Sequence, residues 1–349
     1  VTFSSPTGVD PRLTAGVNPW STNPGKVPKL LFEGMEIAYN AAALARNGRL
    51  LAREPFAMIY ERHAFFLCTT PLLSRPRNIP LVIEVNELVG DARIRDQPLL
   101  KPLAQWADRI LFKRADLIVA VSPHLRRRIV ARGLPEEKVR VLPNAVPDAL
   151  ARHPADGSTV RARYGFGAST VIGFVGWIAH WHRVDLLIEA FARLDPATND
   201  LRLVLIAEGD RQPVEEQARQ LGLLDRLTIT GAVPHADIPA HIAACDICVV
   251  PNSNDYRSPI KLFEYMGQGR PVVAPALEPI RSVVSHGDTG YLFEPLSAES
   301  MAAAIRALLD SPTLREAIGE KGRQVILARH TWEKNAESVL ARLNLPVAG

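Results

Sequence analysis

The chain has 349 residues and a mass of 38.3 kDa, enough for about two domains, with 47% hydrophobic and 22% charged residues and a mean hydropathy of +0.01. That balance excludes an acidic disordered tail, a collagen-like fibre and a coiled-coil rod, and no apolar run approaches the ~18 residues of a membrane helix. The net charge of +4 is uneven, with 21 Lys/Arg against 14 Asp/Glu in residues 1–150 and 20 against 23 thereafter, so the first half is expected to meet something anionic.

Residues 1–11 read as a short strand running into a Ser/Pro/Gly loop, with no apolar segment of the signal-peptide kind. Loop composition continues over 11–30, and Ala- and Leu-rich helical spacing follows over 31–54. β-Branched and aromatic runs at 57–60, 80–85, 117–121 and 139–142 then alternate with helical stretches at 64–73, 99–113 and 123–132. Such alternation predicts a parallel sheet with covering helices. Pro, Gly, Asp and Ser dilute the pattern over 147–169, which places a linker between a first domain of residues 1–150 and a second of 151–330.

The second half repeats the theme. Strands at 171–175, 203–206, 227–230, 247–250, 271–274 and 291–293 alternate with helices at 185–194, 213–221, 238–244, 259–266, 280–285 and 300–309. A last helical stretch, 314–345, is long enough for residues 331–349 to return toward the first domain. The fold class is α/β, with two Rossmann-like, doubly wound domains. Three cysteines (Cys68, Cys245 and Cys248) make no disulfide framework, which implies a reducing, cytoplasmic setting.

The stretch most informative about chemistry is Ser258 to Pro271. Ser258 suits an N-cap, Pro259 suits a first helical turn, and Gly267 and Gly269 stop the helix before the next strand. Amides at Ile260, Lys261 and Leu262, the helix dipole and the Lys261 ammonium would converge on one spot that suits a diphosphate. Glu264 lies three residues beyond Lys261 on the same face and could accept from vicinal hydroxyls beside that diphosphate. An ordinary capped helix with an exposed Lys–Glu pair is the plain alternative. Gly173 and Gly176 stand at the carboxyl end of the second domain's first strand, where open α/β sheets bind ligands, and His180, His182 and Arg183 make the adjoining loop a candidate cationic wall. No spacing of His, Cys, Asp or Glu points to a metal.

The passages VIGFVGWIAHWHRVDLLIEAF, LIAEGD, LTITGAVPHADIPAHIAACDICVVP and SPIKLFEYMGQGRPVVA, with FAMIYERH, PLVIEVNE and RADLIVAVSPHLRRRIVARGLPEEKVRVLPNAV before them, resemble the motifs of glycosyltransferase family 4. The resemblance runs from about residue 55 to 332. It implies a GT-B fold whose two domains face a cleft, a UDP- or GDP-sugar donor, retention at the anomeric carbon and no cofactor or metal. Carried over, Glu264 matches the second of two family glutamates and would hold the donor ribose. Tyr256 falls where the first glutamate stands, and Trp177 and His182 fall where an Arg and a Lys follow the glycine loop, leaving Arg183 and Lys261 as replacements. Gly176, Glu208, Gly209, Val233, Ser258, Pro259, Ile260 and Leu262 complete the donor side. Asn86 stands where many relatives place a His, while Glu61, Arg62 and Glu87 fall on the acceptor side, with an internal ion pair as the plainer reading of Glu61 and Arg62. The family's first strand and glycine loop have no counterpart after Val1, so the first domain is expected to be incomplete at its start.

The implied activity is a retaining glycosyltransferase in glycan, glycolipid or glycosylated-metabolite assembly. The alternatives are a catalytically impaired nucleotide-sugar-binding protein and an anion-binding interaction domain. Cys245 and Cys248 have C-x-x-C spacing but lead into an apolar strand, and burial is the better reading. Arg126, Arg127, Arg128 and Arg132 form a basic helical patch that is a solvated face or a peripheral contact with an anionic inner leaflet. Nucleic acid is disfavoured, because basic and aromatic residues do not interleave.

Overall fold

A computed structural model describes residues 28–91, 97–195, 197 and 199–346. The strand expected over 1–11 and most of the loop after it lie outside the described residues. Two compact units divide the chain, one ending at Leu142 and resuming at Leu340, the other spanning Pro143–Val339.

In the first unit, strands β1 (Ile59–Arg62), β2 (Leu81–Val85), β3 (Leu117–Ala120) and β4 (Val139–Val141) form a parallel sheet in that order. Every residue of β3 is buried, as expected of a parallel strand covered on both faces. A long helix, Lys29–Arg53, carries the buried Glu33, whose carboxylate accepts from the amides of Leu99 at 2.6 Å and Leu100 at 2.8 Å. Glu33 thereby satisfies orphan donors at the start of the helix Lys101–Arg114. The helix expected over 64–73 shrinks to Thr70–Ser74: Phe66 takes a positive φ of 64°, which a helix does not tolerate, and Pro71 fits only a first turn. Farther on, Ser122 accepts from Leu125 N–H and caps the helix Pro123–Val130.

The second unit holds β5 (Thr170–Ile178), β6 (Leu201–Gly209), β7 (Leu227–Ile229), β8 (Ile247–Val249), β9 (Val272–Pro275) and β10 (Tyr291–Phe293). They form one parallel sheet ordered β10-β9-β8-β5-β6-β7. The order reverses between β5 and β8, and the carboxyl ends there are the topological switch point at which such sheets bind ligands. Apolar cores cover both faces, one around Phe174, Phe191 and Ile305, the other around Tyr265, Met266 and Ile326.

β5 runs three residues past its expected end, so Gly176 as well as Gly173 lies within the strand. Gly173 answers to packing, since a Cβ there would stand 2.3 Å from Cys245 Sγ. The expected linker contains helices Asp148–Arg152 and Ser158–Tyr164. The last helical stretch is two helices, Pro312–Arg329 and Trp332–Arg342. Between them Val146 donates to the His330 carbonyl at 3.2 Å and accepts from Trp332 N–H at 3.0 Å, which takes that backbone out of the helical pattern. From Leu340 the chain is part of the first unit, where Arg342 donates to the Glu137 carbonyl at 2.9 Å.

Candidate active site

Three segments of the second unit meet at the switch point: the end of β5, a 3₁₀ turn at His180–His182 and the helix Ile260–Gly267. Tyr265 ties the helix to the strand, its hydroxyl accepting from Val175 N–H at 2.7 Å. Asn252 ties in the turn by donating to the Trp181 carbonyl at 2.9 Å. On this frame the Lys261 ammonium lies 4.3 Å from the centre of the Phe174 ring and 3.4 Å from His182 Nε2. A Cβ on Gly176 would stand 2.6 Å from Lys261 Nζ, so the missing side chain is what admits the ammonium to the end of β5.

Burial, with Arg257 nearby, pulls the Lys261 pKa down to about 7, against the opposing pull of Glu264. Burial and the Lys261 charge lower His182 to about 4, so its ring is neutral at pH 7. His182 Nδ1 then donates to the Trp177 carbonyl at 2.6 Å, and Nε2 is left to accept from Lys261. Glu264 is raised by burial and lowered in part by His235 and Lys261. The site thus pairs a poised cation with a carboxylate one helical turn away, beside the start of a helix.

Two details of that start differ from the expectation. Pro259 occupies the N-cap, and the buried Ser258 turns elsewhere: Asn144 donates to it through its backbone amide, 2.9 Å from Oγ, and through Nδ2, 2.5 Å from the carbonyl oxygen. Leu262 N–H bonds to the Pro259 carbonyl at 3.1 Å and its side chain lies in the core, so only Ile260 and Lys261 bring first-turn amides without an intrahelical acceptor. Ile260 is itself 50% exposed.

The other predicted donor residues scatter. Trp177 is exposed and stands in register with Glu208, also exposed, at the ends of β5 and β6. Gly209 takes a φ of 132°, and a Cβ there would come 2.6 Å from the Ile178 carbonyl oxygen. Val233 is half-buried against the core, and Tyr256 is buried with the Arg257 guanidinium 5.8 Å from its ring centre. Arg183 turns onto Asp185 at 2.8 Å, while His180 is exposed and packs edge-on against Trp181.

In the first unit, Asn86 donates to Glu84 at 2.7 Å, and Arg62 stands 3.9 Å from the same carboxylate. Glu61 accepts from Thr70, and burial lifts its pKa to about 7; Glu87 is half-buried. Sequence reasoning missed Asn144, Tyr265 and Glu84, whose partners lie 114, 90 and 24 residues away for Ser258, Val175 and Tyr60 respectively. Among the described residues, no group of three His, Cys, Asp or Glu side chains is placed to hold a metal ion, and no helix is long and apolar enough to cross a membrane. Cys245 and Cys248 are buried, as expected. The basic patch is internally paired: Arg126 with Glu136, Arg128 with Asp91 and Arg132 with Asp108.

Comparison with known proteins bears on both units. The model of the family described as Glycosyltransferase Family 4 matches residues 5–150, and that of Glycosyl transferases group 1 matches 159–325. The chain is 29% identical to an alpha-D-kanosaminyltransferase of Streptomyces kanamyceticus over 82% of its own length and 76% of that protein's. It is 26% identical to a 2-deoxystreptamine glucosyltransferase of the same organism, covering 80% of this chain and 75% of that one. Among solved structures, Anabaena Alr3699/HepE in complex with UDP matches with a TM-score of 0.72 at 21% identity, over 87% of this chain and 81% of that one.

Proposed function

Because this chain is a glycosyltransferase of the family 4 type with GT-B architecture, we propose that it transfers a sugar from a UDP- or GDP-sugar to an acceptor hydroxyl, with retention at the anomeric carbon. The observation that carries the reading is the Lys261 ammonium, seated at the end of β5 beside the open start of the helix Ile260–Gly267. The donor diphosphate would lie against Lys261 and the amides of Ile260 and Lys261, with the ribose hydroxyls donating to Glu264. As the bond from the anomeric carbon to the phosphate oxygen breaks, charge grows on that oxygen and Lys261 stabilises it. The acceptor oxygen bonds to the same face of the sugar, and its proton passes to the departing phosphate.

The name of the 2-deoxystreptamine glucosyltransferase relative favours a small hydroxylated acceptor over a polymer. Peripheral attachment to an anionic leaflet has less to rest on, since three of the four arginines that suggested it already hold carboxylates. Binding without turnover is the second reading, favoured by the buried Tyr256 at the first-glutamate position and by Arg183 turning onto Asp185.

Lys261→Ala is expected to lower nucleotide-sugar turnover by ~10²-fold, the usual loss when one donor to a developing oxyanion is removed, without unfolding the chain. Release of UDP or GDP from a donor panel, with thermal unfolding as the folding control, measures it. A folded Lys261→Ala protein that turns over at the wild-type rate overturns the assignment. A wild type that binds nucleotide sugars and releases no diphosphate supports the second reading.

A further inference from the structure

The carboxyl ends of β1 and β2 carry a polar cluster that the donor site does not use, and it lies wholly within the first unit. Its centre is Glu84 of β2, in register with Arg62 of β1. Tyr60 donates its hydroxyl to Glu84 Oε2 at 2.7 Å, and Asn86 donates Nδ2 to Glu84 Oε1 at 2.7 Å. Arg62 Nε stands 3.9 Å from Oε1, too far for a hydrogen bond, and its side chain is 73% exposed against 19% for Glu84.

Donor and acceptor roles in this cluster follow from chemistry. An ionised carboxylate only accepts, so both neighbours must donate to it. Desolvation of its hydroxyl end and the Glu84 charge push the Tyr60 phenol upward in pKa, although the residue is 45% exposed, so it keeps its proton and donates. The Asn86 amide is locked the same way: its NH₂ faces Glu84, which turns the carbonyl oxygen Oδ1 away. That oxygen has no hydrogen bond from any described residue, although Asn86 is half-buried. An open acceptor oxygen beside a weakly held guanidinium, beyond the carboxyl end of a parallel sheet, is a polar surface for a ligand.

We propose that Glu84 is a positioning residue that fixes the Asn86 amide with its oxygen outward, so that the first unit reads one carbohydrate hydroxyl as a hydrogen-bond donor. The inference rests on the sugar-transfer reading above. The shared chemistry is a sugar or polyol hydroxyl, which could belong to the transferred sugar or to the acceptor. Glu84→Gln dissolves the lock, because a carboxamide offers one acceptor oxygen and one NH₂, and Asn86 can then turn its own NH₂ outward.

The test is a double-variant cycle on Asn86→Ala, Glu84→Gln and the pair, with thermal unfolding as the folding control. Affinities for UDP, UDP-glucose, GDP and GDP-mannose are measured, together with diphosphate release with and without added 2-deoxystreptamine and related polyols. Each single variant is expected to lose ~3–10-fold in the same quantity, the worth of one neutral hydrogen bond, while Glu84→Gln changes it less than ~2-fold once Asn86 is already Ala. If the transferred sugar is read, the lost quantity is the gain in affinity of nucleotide sugar over bare nucleotide. If the acceptor is read, those affinities stand and only the stimulation by acceptor falls. Additive losses from the two variants, or no loss in either quantity, overturn the inference while nucleotide binding stands. A wild type that binds none of the four nucleotides sinks the sugar-transfer reading and this inference with it.

Discussion

Lys261 is held in a setting that weakens its charge until an anion arrives. In the folded chain it titrates at about 7 against an ordinary 10.5, chiefly through burial. Between those values the unfolded chain carries a proton that the folded chain lacks, so this group's share of stability is least below pH 7 and rises as pH climbs toward 10.5. Nucleotide affinity should run the opposite way. A diphosphate favours the ammonium, so above pH 7 binding takes up a proton, and affinity is expected to fall as pH rises from about 7 to 9, by up to ~10-fold per unit. Calorimetry of UDP or GDP binding near pH 8, in two buffers of different ionisation heat, should read an uptake approaching one proton, and Lys261→Ala should abolish it. Equal affinity at pH 7 and pH 9 would contradict the burial-lowered lysine. Gly176 tests the same geometry sterically. Its φ of 155° and the 2.6 Å from a notional Cβ to Lys261 Nζ mean that Gly176→Ala must push the ammonium off the end of β5. The expected loss in nucleotide affinity is ~10-fold or more, the worth of one charge-assisted hydrogen bond, measured by the same titration.

The elements that frame this site depend on close backbone approach. The helix Pro312–Arg329 lies against the turn that ends the helix Ile260–Gly267, and a Cβ on Gly319 would stand 2.1 Å from the Gly269 carbonyl oxygen. Gly319→Ala therefore forces two backbones apart. It is expected to destabilise the second unit by about 1–3 kcal/mol, as overpacking does, and to lower its unfolding midpoint by about 5 °C. An unchanged midpoint in a thermal scan would show that the helix can move aside freely. Nothing in EAIGEKG marks Gly319 as a contact point, because a mid-helix glycine reads only as a weak helix former. The same limit explains the other differences at this scale. Strand and helix order was legible because β-branched runs and Gly or Pro punctuation are local signals. The run of β5 past Val175 was not, since Gly176 reads as a strand end and only the pairing of Gly176, Trp177 and Ile178 with Ala207, Glu208 and Gly209 of β6 carries the strand on. The split at His330 was equally hidden, because only the bridge to Val146 shows it.

The whole molecule separates its chemistry by unit. All the residues of the proposed diphosphate site, from Phe174 and Gly176 through His182 to Lys261 and Glu264, belong to Pro143–Val339, whereas Glu84 and Asn86 belong to the other unit. Lys261 and Glu264 were readable from sequence because a helix start, a cation and a carboxylate sit within seven residues. Asn144 holding Ser258, and Glu84 orienting Asn86, were not, since each depends on which side-chain atom faces which partner. This division predicts where a bare nucleotide leaves its mark. UDP or GDP has only the diphosphate and ribose assigned to the second unit and no transferred sugar, so hydrogen exchange should slow on its addition at the end of β5, at the His180–His182 turn and at the start of the helix Ile260–Gly267. Amides at the ends of β1 and β2 should be unchanged by the bare nucleotide. Ligand bound to one native site stabilises the openings that expose that site, and leaves independent openings elsewhere as they were. Protection at β1 and β2 with none around Lys261 would move the nucleotide to the first unit and remove the basis for assigning the leaving diphosphate to Lys261.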